Sequence, residues 1–252
     1  MDGKNRKVVI AANWKMNKLK ADAGAFMEKF LLLVRNEDAE IVIFPPATCL
    51  DEVAKYADNN ILVGIQNIHW QKEGAYTGEI SAAQAVDSGC SYCLCGHSER
   101  RQYFEESAEM ITRKAQAALN CGMKPIVCIG ETLQQRESGE TLEILRDQLL
   151  SSLLGIEPSE DLLIAYEPVW AIGTGMVAST TDAEEALSYI CEQLTELWGD
   201  LAEKISILYG GSVKPESIRD LMACPNIDGV LVGGASLQPE SFAGIANYHI
   251  LE

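Results

Sequence analysis

The sequence predicts an α/β protein built as a single (β/α)8 barrel, and three observations predict it. Eight short apolar runs recur along the 252 residues, and a helix-like stretch follows each. The runs are nearly continuous in apolarity and do not alternate, as strands do when helices cover both faces of a parallel sheet. Eight strand–helix pairs in about 250 residues is the size of one closed barrel. Residues 1–252 are therefore read as a single domain, with no linker, repeat or low-complexity tract dividing them. By pattern alone an open, doubly wound sheet is the alternative.

In chain order the runs occupy 8–12, 41–44, 61–65, 92–95, 125–129, 162–166, 205–209 and 229–232. After the first, Phe26, Phe30, Leu33 and Val34 fall on one helical face. After the sixth, Leu187, Ile190, Cys191, Leu194, Leu197 and Trp198 do the same. Thr181-Asp182-Ala183-Glu184 reads as a capping box opening that helix. Asn120-Cys121-Gly122 reads as a helix end, with glycine suited to the left-handed position. These stripes are first of all core.

Hydrophobic residues make up 47% of the chain and charged residues 23%, a globular composition. No apolar run approaches the roughly 18 residues that span a bilayer. The residues before the first strand lead into five apolar positions, too few for a signal-peptide core, so a cytoplasmic location is expected. Eight cysteines stand in no disulfide spacing and are expected reduced and mostly buried. A net charge of -17 argues against nucleic acid or an anionic membrane as partner. It does not forbid a small anion, because surface charge is screened beyond about 8 Å and donors inside a cleft decide binding there.

Chemistry in such barrels gathers where the strands end. The segments just past the runs are Asn13-Trp14-Lys15, Pro45-Pro46, Gln66-Asn67, Gly96-His97-Ser98-Glu99, Gly130-Glu131, Glu167-Pro168, Gly210-Gly211-Ser212 and Gly233-Gly234. Pro168 disfavours helix at Glu167, so the carboxylate stays at the strand end. Desolvation can make it a stronger base there; an ordinary exposed glutamate is the bland alternative. His97 opens a short helical stretch whose backbone N–H groups disfavour an imidazolium. A neutral ring can donate to a substrate oxygen, whereas a purely structural histidine is the competing reading. Lys15, beside Asn13, offers a fixed cation near a phosphate or a developing enolate oxygen. Cys90, Cys93, Cys95 and His97 invite a metal check. Adjacent strand positions cannot wrap a tetrahedral ion and no second Cys/His pair follows, so no metal is assigned. The glycine-rich turns after the seventh and eighth runs suit backbone phosphate binding. By residues alone, an aldolase with Lys15 as Schiff-base nucleophile and a non-catalytic metabolite binder stay open; borohydride trapping and a coupled assay separate them.

Six segments carry a resemblance that spans nearly the whole chain in order: Asn13-Trp14-Lys15-Met16-Asn17, residues 74–81 (GAYTGEIS), 96–101 (GHSERR), 165–175 (AYEPVWAIGTG), 208–213 (LYGGSV) and 232–235 (VGGA). Together they resemble the triosephosphate isomerases. The resemblance implies a TIM barrel that interconverts dihydroxyacetone phosphate and D-glyceraldehyde 3-phosphate, in glycolysis and gluconeogenesis, with no metal or organic cofactor. It implies Glu167 as the base, His97 as a neutral electrophile helped by Asn13, and Lys15 as the positive charge. Gly173, Ser212, Gly233 and Gly234 would bind phosphate through backbone N–H groups. Residues 168–176 would form a closing lid held by Tyr209 and Ser212. It further implies a homodimer through the 66–80 loop, with Thr77 reaching the partner's site and Glu79 pairing with Arg100 across the contact. One position departs from the family pattern: Met176 stands where a lysine usually follows Gly175. It lies in the lid hinge, so altered lid kinetics are expected rather than lost activity.

Overall fold

The computed structural model describes residues 6–58, 60–172 and 178–250. Eight strands close into one parallel barrel in sequence order. They are β1 (Val9–Asn13), β2 (Glu40–Phe44), β3 (Ile61–Ile65), β4 (Cys90–Cys95), β5 (Lys124–Ile129), β6 (Leu163–Tyr166), β7 (Ile207–Tyr209) and β8 (Gly229–Val232), with β8 returning to β1. The helices between them are α1 (Lys20–Leu33), α2 (Leu50–Ala54), α3 (Ala82–Asp87), α4 (Ser98–Tyr103), α5 (Ala108–Asn120), α6 (Leu133–Glu137), α7 (Thr141–Ser152), α8 (Thr180–Trp198), α9 (Ile218–Met222) and α10 (Pro239–Ala246). The closed barrel replaces the open-sheet alternative.

The unbroken apolarity of the strands has a direct cause. Val9 and Ala11 point into the barrel with Val42, Phe44, Leu94 and Leu208, while Ile10 and Ala12 point outward against the helices. Both faces are dry along the middle of the strands, so polar residues such as Asn13, Glu40 and Lys124 are confined to strand ends. Each large side chain buried this way is worth about 1.5–3 kcal/mol. On the outer face Trp14, Phe26, Phe30 and Phe242 form a chain of rings 4.9, 5.7 and 5.1 Å apart. It docks α1 and α10 and fixes the residue just before Lys15.

Strand ends shift where local bonds decide. β7 starts later than the apolar run because Ile205 N–H closes a helical turn onto Ala202 O, and the Ser206 hydroxyl donates to Lys7 O. The cap of α8 is Ser179, two residues before the expected Thr181. Its hydroxyl accepts from Asp182 N–H, and the Asp182 carboxylate accepts from Ser179 N–H. Asp182 closes the box at the third helical position and leaves Thr181 inside the first turn. Of the stripe expected on α8, Leu187, Ile190 and Leu194 are buried and Cys191 and Trp198 pack against the core, whereas Leu197 is 40% exposed. α5 ends as expected: Gly122 is left-handed at φ 75°, and Met123 N–H returns to Ala118 O, a Schellman pattern. Five of the eight cysteines, Cys49, Cys90, Cys93, Cys95 and Cys128, are buried free thiols.

The N-terminal mouth of the barrel is stoppered by charge. Tyr92, inside the barrel, donates its hydroxyl to Glu40, which also receives Lys124 at 3.0 Å and Lys7 at 2.8 Å. Burial pushes the Glu40 carboxyl up, but these three donors outweigh it and hold its pKa at about 2. A depressed carboxylate stabilises the fold above its unfolded pKa and loses that contribution as pH falls through the folded value. We predict that Glu40→Gln costs about 1–2 kcal/mol at pH 7, discounted for a half-buried group. Its Tm deficit should shrink as pH falls from about 4.5 towards 2. Equal deficits at pH 7 and near pH 2.5 in thermal melts would refute this.

Candidate active site

The C-terminal mouth is built by five strand ends, those of β1, β4, β6, β7 and β8. Glu167 N–H donates to Ile129 O at 2.7 Å, which keeps the residue in register with β5 before Pro168 turns the chain away. Two glycines make this close approach possible. A Cβ on Gly130 would lie 1.7 Å from Glu167 O, and one on Gly210 would lie 2.9 Å from Glu167 Cγ. Glu167 is 2% exposed. Its Oε1 accepts from His97 Nε2 at 2.9 Å and its Oε2 accepts from Ser98 N–H at 2.7 Å.

His97 ends the turn after β4 and caps α4; its Nδ1 accepts from Glu99 N–H at 3.2 Å. A ring that accepts at Nδ1 and donates at Nε2 is the neutral tautomer. Burial pulls the imidazole pKa down, and the facing Glu167 carboxylate overrides that and raises it. In the reverse direction, burial pushes the Glu167 carboxyl up, but His97, Ser98 N–H and Lys15 outweigh it and hold it below the ordinary value. The more basic carboxylate expected from desolvation alone is therefore not what this geometry gives: the burial is present, but His97, Ser98 N–H and Lys15 outweigh it.

Lys15 follows β1 with φ at 53°, a left-handed backbone costing about 1 kcal/mol or more for such a residue. The strain is held by neighbours. Asn13 Oδ1 accepts from Lys15 N–H at 3.0 Å, and Gln66 Nε2 donates to both Lys15 O and Phe44 O at 2.9 Å. Lys15 Nζ pairs with Glu99 at 2.6 Å. Gln66 and Glu99 thus place the lysine, and neither is singled out by the sequence alone, since their partners lie 51 and 84 residues away.

A cleft of about 400 Å³ brings together Asn13, Lys15, His97, Glu167, Ser212, Gly233 and Gly234. Gly234 begins a helical turn, Gly234–Leu237. Ser212 donates its hydroxyl to Ala171 O at 2.8 Å, tying the end of β7 to the chain beyond Pro168. There Trp170 Nε1 donates to the buried Glu131 at 2.8 Å, Tyr166 donates to the same oxygen, and Arg136 lies 4.6 Å over the indole. Gly173 and Met176 fall outside the described residues.

Among the described residues no group of three His, Cys, Asp or Glu side chains is placed to hold a metal. Cys93 and Cys95 lie 3.8 Å apart in the outer core, while His97 turns into the mouth. No helix of the described residues is long and apolar enough to cross a membrane. Arg100, expected to meet Glu79 across a contact, is bonded to Glu106 of its own chain.

By its fold and by the groups converging on one mouth, the molecule is a (β/α)8-barrel enzyme. The model of the triosephosphate isomerase family matches residues 8–249. Proteins called triosephosphate isomerase from Caldanaerobacter subterraneus subsp. tengcongensis and Moorella thermoacetica are each 48% identical to it, over 247 and 246 residues. They cover 96% of this chain and 100% and 99% of their own. One from Geobacter metallireducens is also 48% identical, over 96% of this chain and 99% of its own. The chain belongs to the triosephosphate isomerase family.

Proposed function

We propose that the protein interconverts dihydroxyacetone phosphate and D-glyceraldehyde 3-phosphate through an enediolate, a step of glycolysis that gluconeogenesis runs in reverse. The observation that carries this reading is the contact of the Glu167 carboxylate with the Nε2–H of His97 inside a cleft that also holds Lys15. The substrate phosphate lies against the backbone N–H groups of Ser212, Gly233 and Gly234, with Gly173 as a further donor. Lys15 supplies the positive charge, and Asn13 helps His97 hold the substrate oxygens. Substrate entry displaces Glu167 from His97 and Ser98. The carboxylate then loses the two donors that depress its pKa and keeps the burial that raises it. It takes a proton from C1 of the ketone while His97 Nε2–H supports the developing oxyanion at C2. A proton passes from the C1 hydroxyl to the C2 oxygen, and the proton that Glu167 returns to C2 completes the aldehyde. With Glu167 turned away, burial and the Glu99 N–H keep the imidazole neutral, so it stabilises the oxyanion as a donor.

Isomerisation in deuterium oxide tests this. Product and recovered ketone should carry solvent deuterium at carbon, and His97→Gln should slow the exchange. A covalent adduct at Lys15 on borohydride treatment, or turnover with carbon-bound hydrogen never exchanging, would overturn it.

The chain works as one barrel domain, residues 1–252, in the cytoplasm, and pairs with a second copy through the 66–80 loop. Exposed Met16 and Phe104, which line one cleft with residues of this loop, and exposed Tyr76 within it support this pairing, since large exposed apolar side chains gathered near one loop mark association surfaces. Sedimentation should give twice the chain mass, and Tyr76→Glu should shift it to the monomer; a monomeric wild type at micromolar concentration would end this reading.

A further inference from the structure

A second cleft, of about 450 Å³, lies behind Glu167. It is bounded by α4 and α6, by Gln148 of α7, and by Val169 and Trp170. Arg101 lines it. The Arg101 Nε donates to Gly96 O and Cys128 O, and its Nη2 donates to Cys128 O and the Ser152 hydroxyl. Every acceptor is neutral, and no carboxylate of the described residues comes within ion-pair distance. The Nη1 group has no hydrogen-bond partner among the described residues. Burial pulls the guanidinium pKa below its ordinary value, and Glu167 and Glu106 compensate only from a distance. A part-buried cation without a counter-ion is an expensive arrangement.

The rest of the wall narrows the choice of ligand. Both polar ends of the Gln148 amide are committed to Gly130, and Gln135 caps α6. The one acidic residue on the wall, Glu167, has both oxygens engaged with His97 and Ser98. Leu133, 42% exposed, and the Trp170 indole supply apolar surface. An uncommitted guanidinium edge beside apolar walls selects an acid with an apolar body.

We propose that the cleft between α4 and α6 is a second binding site, which takes a small carboxylic acid anion with an apolar body, its carboxylate on Arg101 and its body against Leu133 and Trp170. An occupant touches the back of Glu167 and the turn that begins the lid. It lowers kcat without competing with a phosphorylated substrate at the front of the same residue. That effect on turnover rests on the isomerase reading; the binding does not.

The test uses benzoate as probe and its neutral isostere benzamide, followed by the Trp170 indole N–H resonance. Benzoate should shift that resonance saturably. Benzamide should bind about tenfold more weakly or worse, the loss of one charge-assisted hydrogen bond. Benzoate binding should vanish in Leu133→Trp, which fills the cleft, and in Arg101→Met, and it should persist in Lys15→Met. If Arg101→Met does not fold, Leu133→Trp carries the test. Equal binding of benzamide, or binding that survives Leu133→Trp and is lost in Lys15→Met, would overturn the proposal.

Discussion

Glu167→Gln is expected to lower kcat by about 10²–10⁴-fold, the contribution of a positioned base, while the affinity for inorganic phosphate changes little. The amide has the shape of the carboxylate and can still accept from Ser98 N–H, so β6 and its contacts stay in place. It cannot take a carbon-bound proton. The turns after β7 and β8, proposed above to hold the phosphate, would do so through backbone N–H groups and not through the charge at position 167. A coupled assay and a phosphate titration on the same preparation read both halves. Near-normal turnover would remove Glu167 as the base; a large loss of phosphate affinity would mean that its charge shapes the whole mouth.

Gly130→Ala is expected to cost about 3 kcal/mol or more in stability, at the upper end for overpacking, and at least about tenfold in kcat/KM, because about 1.4 kcal/mol of lost positioning at the base is tenfold in rate. The added methyl would sit 1.7 Å from Glu167 O and 2.6 Å from its carbonyl carbon. Both atoms are backbone, so no rotamer change relieves the overlap and β5 and β6 must part. Their separation breaks the 2.7 Å bond from Glu167 N–H to Ile129 O and moves the carboxylate. Gly234→Ala is the control for stability, since a Cβ there meets nothing within 4 Å. Denaturant unfolding of the two variants decides: a Gly130→Ala protein as stable as Gly234→Ala would show that the strands yield easily.

The barrel was legible because its strands are dry on both sides. The run 8–12 needs to be apolar at every position to satisfy an interior containing Val9 and Ala11 and an exterior containing Ile10 and Ala12, and sequence reports that directly. The convergence of Glu167 and His97 was legible for a related reason: each follows a strand of one closed sheet, so both reach the same rim. What sequence could not carry is pairing at a distance. Glu99 on Lys15, Gln66 on the Lys15 carbonyl and the committed donors of Arg101 depend on side-chain directions across the rim, which no spacing encodes. The α8 cap failed at short range instead. Ser179 and Thr181 each have a carboxylate three residues on, Asp182 and Glu184, so the pattern alone did not choose; the helix takes the earlier pair, Ser179 with Asp182, while Glu184 accepts from Asn226.

The charged stopper of Glu40, Tyr92, Lys124 and Lys7 has a consequence for traffic. With that end sealed and the interior filled by side chains such as Phe44 and Leu94, the molecule is a cul-de-sac and not a tunnel. Reactant and product must share a single doorway, and each departure has to precede the next arrival. Whatever governs opening at that doorway governs both directions of the reaction alike.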